Sequence, residues 1–236
     1  MGGIPQGPPG RADSRLPLRR LHGLRRLRRE GDRQPVGGRG KVKRILVKYY
    51  KKGDAAFLSH RETMRVLERA LRRSGADLVF TSGFHPRVKM SFSPALPLGV
   101  AAEAEYLEAA VEGEPDLEEM IKRMNDALPE GMGVTSLQVM PGYMPKLSRW
   151  ARYGLYRVEG GNGTLHLCMR LDGEGGGRLR DALQLLKERW GVEAEAVTRV
   201  GIYASRDEIL EENPGKVYFY HAGKGELEEM EGSGAG

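Results

Sequence analysis

The sequence predicts an α+β fold, a ferredoxin-like βαββαβ unit followed by a second, shorter α+β unit. Short runs of β-branched and aromatic residues alternate with longer stretches of helical periodicity. Ser59 with Glu62 three residues later forms a capping box that opens the first helix. The first six elements run strand, helix, strand, strand, helix, strand, which is the split βαβ order of an antiparallel sheet with both helices on one face.

Arg44-Ile45-Leu46-Val47-Lys48-Tyr49-Tyr50 is the first strand, ended by a turn at Gly53-Asp54. The helix that follows spans residues 60–74. Met64, Leu67, Ala70 and Leu71 give it one apolar stripe, and Arg61, Arg65, Arg69 and Arg72 or Arg73 follow as a separate guanidinium ridge. Leu78-Val79-Phe80-Thr81 reads as the second strand, and residues 82–99 as a long loop punctuated by Gly83, Pro86, Pro94, Pro97 and Gly99. Residues 104–111 give a third strand, 116–128 a second helix and 134–140 a fourth strand, completing a unit over 42–141. After a joint at 141–152, strands at 153–158 and 164–171, a helix at 178–190 and a strand at 194–203 form the second unit, 152–204. Residues 205–236, rich in Glu and Gly, read as a flexible acidic tail.

The pI of about 9.4 is misleading until charge is divided along the chain. Residues 1–40 carry 10 Arg and 3 acids, residues 41–95 carry 13 Lys/Arg against 4 acids, and residues 96–236 carry 15 against 25. The folded part is therefore a dipole in sequence, and a basic first quarter is what contact with a polyanion requires. Residues 1–41 read as a disordered or mistranslated leader of Gly, Pro and Arg. Leu18, Leu21, Leu24 and Leu27 recur every third residue, a spacing that drifts around a helix. Leu codons CTG followed by codons that begin with C yield TGC, cysteine, one base later, so an upstream gene's end read in the wrong frame explains the repeat. An Arg-rich arm that binds nucleic acid is the competing reading.

Phe57-Leu58-Ser59-His60, the Arg-rich helix, Thr81-Ser82-Gly83-Phe84-His85-Pro86-Arg87, Leu96-Pro97-Leu98-Gly99-Val100 and Glu103-Ala104-Glu105-Tyr106-Leu107 together resemble the radical-SAM-linked protein family. That family is a domain of unknown function, fused to or encoded beside a radical-SAM protein. The resemblance implies such a nearby-encoded protein as partner. The frequent proximity of these genes to a ribonuclease of the E/G type and to ribosomal-protein genes implies work on RNA. Arg61-Glu62 stands where Leu-Asp is more typical of the family, and His85 where Asn is frequent.

A radical-SAM catalyst needs three thiolates for its iron–sulfur cluster, and Cys168 is the single cysteine. The cluster is therefore expected on the partner, and no cofactor is expected here. Cys168 sits among Leu165, Leu167, Met169 and Leu171, the pattern of a half-buried strand thiol. Residues 173–177 are glycine-rich but lack the Lys-Ser/Thr of a phosphate loop. His60 and His85 show no metal-ligand spacing, so no metal is expected. Beside arginines they are candidates for a general base and acid in metal-free RNA cleavage, although His60 at a helix start and His85-Pro86 in a turn fit a purely structural role. Phe84, His85, Phe92, Arg87, Lys89 and Met90 interleave rings with cations, as a single-stranded RNA surface does. Core plugs at Phe84 and Phe92 are the alternative.

These features point to an accessory RNA-binding or substrate-presenting partner of a radical-SAM enzyme in RNA modification or processing, more a non-catalytic partner than an enzyme. Its expected nucleic-acid-binding residues are Arg61, Arg65, Arg69, Arg72, Arg73, Phe84, His85, Arg87 and Lys89. The alternatives are an endoribonuclease using His60 and His85, and a protein-only adaptor. No run of about 18 apolar residues or secretory signal is present, so a cytoplasmic, non-membrane protein is expected.

Overall fold

Ile45, Val47 and Tyr49 alternate with Leu46 along the first strand, and the two sets face different cores. In this computed structural model, which describes residues 41–142, 144–161, 163–172 and 176–233, that strand is β1 (Lys43–Lys51). The expected leader lies, but for Lys41, outside the described residues. The first unit continues with α1 (His60–Arg73), β2 (Met90–Phe92), β3 (Ala101–Val111), α2 (Leu117–Ala127) and β4 (Met132–Met140). Its strands lie in the order β4-β1-β3-β2, antiparallel throughout, which is the split βαβ arrangement.

Leu67, Ala70 and Leu71 of α1 and Met120 and Met124 of α2 pack on Ile45, Val47 and Tyr49. Complete burial of side chains of this size contributes about 1.5–3 kcal/mol each. Asp116 caps α2 by accepting from the Glu119 N–H at 3.1 Å. The opposite face, with Leu46, Ala104 and Tyr106, is covered by Met144 and by the one-turn α3 (Leu147–Trp150), whose Trp150 meets Tyr106 edge-on at 5.4 Å. Covered on both sides, β3 is buried along most of its length, Glu105 and Glu108 included.

The second strand is displaced from its expected position. Leu78 and Phe80 make single bridges, to Val111 and Val88, and regular pairing with β3 begins at Met90. The Val79 N–H takes the Ala110 carbonyl at 2.9 Å, while the Ala110 N–H is taken by the Lys89 carbonyl at 3.0 Å. The returning segment thus occupies the ladder that residues 78–81 would need for a strand of their own.

The second unit comprises β5 (Tyr153–Gly160), β6 (Gly163–Arg170), α4 (Leu179–Trp190), β7 (Ala194–Tyr203), α5 (Arg206–Glu212), β8 (Gly215–His221) and β9 (Glu226–Gly232). Its strands extend the same sheet in the order β7-β5-β6-β8-β9. Two residue pairs join the units, Ala101 with Thr198 and Ala102 with Arg199, in parallel register between β3 and β7.

The expected flexible tail at 205–236 is overturned through residue 232. Ser205 caps α5 by accepting from the Glu208 N–H at 3.3 Å. Ile209, Val217, Phe219 and Leu227 are buried. The acids that gave the tail its disordered composition line an edge strand, where charge blocks further pairing. There Glu228 is held by Arg206 and His221 at 3.2 and 2.7 Å, and Glu229 by Lys216 at 2.7 Å.

Candidate nucleic-acid interface

The Ser59 hydroxyl accepts from the Glu62 N–H at 3.3 Å, and the Glu62 carboxylate accepts from the Ser59 N–H at 2.8 Å, so the capping box fixes where α1 begins. The Ser59 hydroxyl, which donates to the Glu62 carboxylate at 2.6 Å, and then the Ser59 N–H, with a smaller contribution from Arg65, hold the Glu62 carboxyl below its ordinary range. With Thr63, Leu67, Ala70 and Leu71 turned into the protein, Arg61, Arg65, Arg69, Arg72 and Arg73 are all exposed. Arg72 is already engaged, 2.8 Å from Glu68 and 5.0 Å over the Phe80 ring. Arg61, Arg65, Arg69 and Arg73 have no ion-pair partner among the described residues. Among the described residues, no acid of the later part of the chain pairs with Arg61, Arg65, Arg69 or Arg73.

The hairpin after α1 lies alongside it. The ring contact of Phe80 with Arg72 and an edge-on contact of Phe92 with His60, centroids 5.9 Å apart, tie the two segments near opposite ends of the helix. Between them the Thr81 N–H bonds the Arg87 carbonyl at 2.8 Å, and the Thr81 hydroxyl accepts from the Arg87 N–H at 3.1 Å. The tip turns at Gly83, whose φ of +131° favours glycine. Phe84 is fully exposed there, with His85, Arg87 and Lys89 also at the surface. Phe92 and Met90 instead pack on the first core, so of the two phenylalanines Phe84 alone is available for stacking. His60 and His85 are not brought together: no hydrogen bond, ring contact or cavity joins them among the described residues.

A second constellation, which sequence reasoning missed, lies where the units meet. Arg199 on β7, 0% exposed, places Nε and Nη2 each 2.5 Å from the carboxylate oxygens of Glu105 on β3. The Ser93 hydroxyl donates to the same carboxylate at 3.1 Å, and Arg199 Nη2 reaches the Pro94 carbonyl at 2.9 Å. Residues 93 and 94 are thereby drawn inward and do not belong to the exposed hairpin. Burial lowers the Arg199 guanidinium, but Glu105 and then Tyr156 outweigh it and hold it above its ordinary value. The signal available in the sequence was Glu105 within a run of strand residues that are otherwise mostly apolar, and Arg199 in Val-Thr-Arg-Val.

Beside this pair a cavity of about 10 Å³ is lined by Tyr49, Lys51, His60, Thr63, Ser93, Leu96 and Glu105. Lys51 is 3% exposed and donates to the Leu58 carbonyl at 3.0 Å. Burial lowers its ammonium below the ordinary lysine range, against Glu105 and with Arg199. The Tyr49 phenol is held well above its ordinary value, chiefly by burial and then by Glu105.

Cys168 is buried, and burial pushes its thiol above the ordinary range. Among the described residues no cluster of three or more His, Cys, Asp or Glu is arranged to hold a metal. No helix among them is long and apolar enough to cross a membrane. A family model described as an uncharacterized protein conserved in bacteria (DUF2344) matches residues 44–207, from β1 into α5. No curated protein matches the chain.

Proposed function

The chain belongs to the DUF2344 family of uncharacterized proteins conserved in bacteria, and we propose that it is an accessory domain that binds single-stranded RNA across α1 and the adjoining hairpin. The observation that carries this reading is the run of arginines without ion-pair partners among the described residues, Arg61, Arg65, Arg69 and Arg73, on a helix whose adjoining hairpin carries a fully exposed Phe84. Phosphates satisfy guanidinium groups, and a base stacked on an exposed ring contributes about 1–3 kcal/mol. Arg87 and Lys89 extend the positive surface along the hairpin. A duplex hides its base faces and offers Phe84 nothing to stack on, which favours a single strand.

The partnership with a radical-SAM protein rests on the resemblance of the strings at 57–60 and 81–107. In that setting the chain presents the RNA, and the partner carries the cluster, for which one buried cysteine supplies no ligand set. Cytoplasmic residence follows from the same reading. The test is fluorescence anisotropy with a labelled single-stranded RNA and its duplex at one salt concentration. The reading expects the single strand to bind more tightly and Phe84→Ala to remove most of that preference. Equal or absent binding of both forms counts against it.

A further inference from the structure

Thr63 is 4% exposed, lines the small cavity beside the start of α1, and its hydroxyl has no hydrogen-bond partner among the described residues. A buried polar group in that condition is destabilising unless something fills the cavity and bonds to it. Lys51 adds to the demand. Its ammonium carries three donors, of which the structure accounts for one, to Leu58, and among the described residues no carboxylate lies within ion-pairing distance. Glu105 is on the cavity wall, but its charge is matched by the bidentate Arg199. The lining therefore holds one cation with no ion-pair partner of its own among the described residues. Lys51, Thr63, Tyr49 and His60, four of the lining residues, each carry a side-chain donor.

We propose that this cavity receives an oxygen of a terminal phosphomonoester on the RNA strand carried by the basic ridge, an inference that rests on the RNA reading above. The position fits, because His60 lines the cavity and is the first residue of α1, and the ridge begins at Arg61. The volume fits as well. About 10 Å³ admits about one water-sized atom, so a group must project an oxygen from a chain end. An internal phosphodiester carries a single negative charge and is flanked by two sugars, which hinder the approach of its free oxygens to the cavity. A monoester projects freely and carries close to two negative charges, so it attracts the Lys51 ammonium more strongly than the single charge of a diester does.

The experiment measures binding of one RNA sequence prepared with a 5′-phosphate, a 3′-phosphate or hydroxyls at both ends, with inorganic phosphate as competitor, on the full chain. A phosphorylated end binds about tenfold more tightly than the hydroxyl-ended strand, the effect of one charge-assisted hydrogen bond. Inorganic phosphate erases that advantage, and so do Lys51→Met and Thr63→Val. Thr63→Val removes an unpartnered hydroxyl at nearly constant volume, so the variant folds even if Lys51→Met does not. Equal binding of all strands overturns the proposal and leaves the RNA reading intact, as does an advantage that survives in Thr63→Val. If no strand binds, the RNA reading falls and with it a strand end as the occupant. Protection from thermal unfolding by inorganic phosphate, absent in Thr63→Val, then keeps the cavity as a free-phosphate site, and no protection removes that too.

Discussion

Arg199 on β7 and Glu105 on β3 meet without access to solvent, and each of the two hydrogen bonds between them is 2.5 Å long. The contact stands beside the two residue pairs that carry the sheet from the first unit into the second. A buried pair with both charges present gives little net stability, because desolvation offsets the attraction, but removing one partner leaves a buried charge. Arg199→Met alone is expected to lower unfolding free energy by about 3–5 kcal/mol, and Arg199→Met with Glu105→Gln to recover much of it. Urea denaturation of both variants measures this. A single variant no less stable than the double would show that the pair does not hold the seam.

Arg65 and Arg72 sit on the same helix but differ in what they touch. Arg72 is engaged by Glu68, and Arg65 has no ion-pair partner among the described residues. Arg65→Ala is expected to weaken binding of all RNA sequences alike and to reduce the salt slope by about 0.7, the effect of one phosphate contact on a single strand. Arg72→Ala should do less. A larger loss in Arg72→Ala than in Arg65→Ala would move the interface away from the unpaired ridge.

Phe84 has no burial to lose. Phe84→Ala should leave the thermal midpoint unchanged and reduce affinity for single-stranded RNA by about 1–3 kcal/mol. Paired measurements of melting and affinity decide it, and a drop in melting temperature would mean the ring supports the fold.

Lys51 gives a pH dependence whose direction is fixed. Its ammonium is lowered by burial, so the unfolded chain keeps this proton at pH values where the folded chain has released it. Stability therefore rises with pH through the lowered Lys51 value and levels off near the ordinary lysine value of about 10.4. Tyr49, held up by burial and Glu105, acts in the opposite sense above about pH 10. The difference in unfolding free energy between the unmodified chain and Lys51→Met should grow from neutral pH toward that limit. A difference that stays flat would show that Lys51 is not perturbed.

Cys168 should resist alkylating reagents in the native state and react once urea unfolds the chain, since burial keeps its thiol protonated. Mass spectrometry of the labelled protein reports the rate in each state. Rapid labelling of the native chain would place the thiol at the surface.

Local patterns made α1, α2 and α4 legible, while α3 and α5 fell in segments read as a joint and a tail. The Ser59 capping box and the apolar stripe of α1 are short-range signals, and so is Asp116 before α2. The arginine ridge was legible for the same reason, as a four-residue repeat. The second strand was mistaken because residues 78–81 have strand-like side chains, yet the backbone partners they need on Ala110 are shared with Lys89. β9 was hidden by its glutamates, which mark an edge strand and not a disordered one. Phe84 and Phe92 are indistinguishable in composition, and packing of Phe92 on the first core separates them. The cavity was beyond reach, because Lys51, Thr63 and Glu105 come together only once β1, α1 and β3 are in place.

The central claim is that α1 arginines without ion-pair partners among the described residues collect phosphates. Its most direct measurement is the dependence of single-stranded RNA affinity on salt, for the unmodified chain and for the combined Arg61→Ala, Arg65→Ala, Arg69→Ala variant. Three phosphate contacts predict a slope of log affinity on log salt steeper by about 2 in the unmodified chain. The same slope in both proteins, or no binding by the unmodified chain, would contradict it.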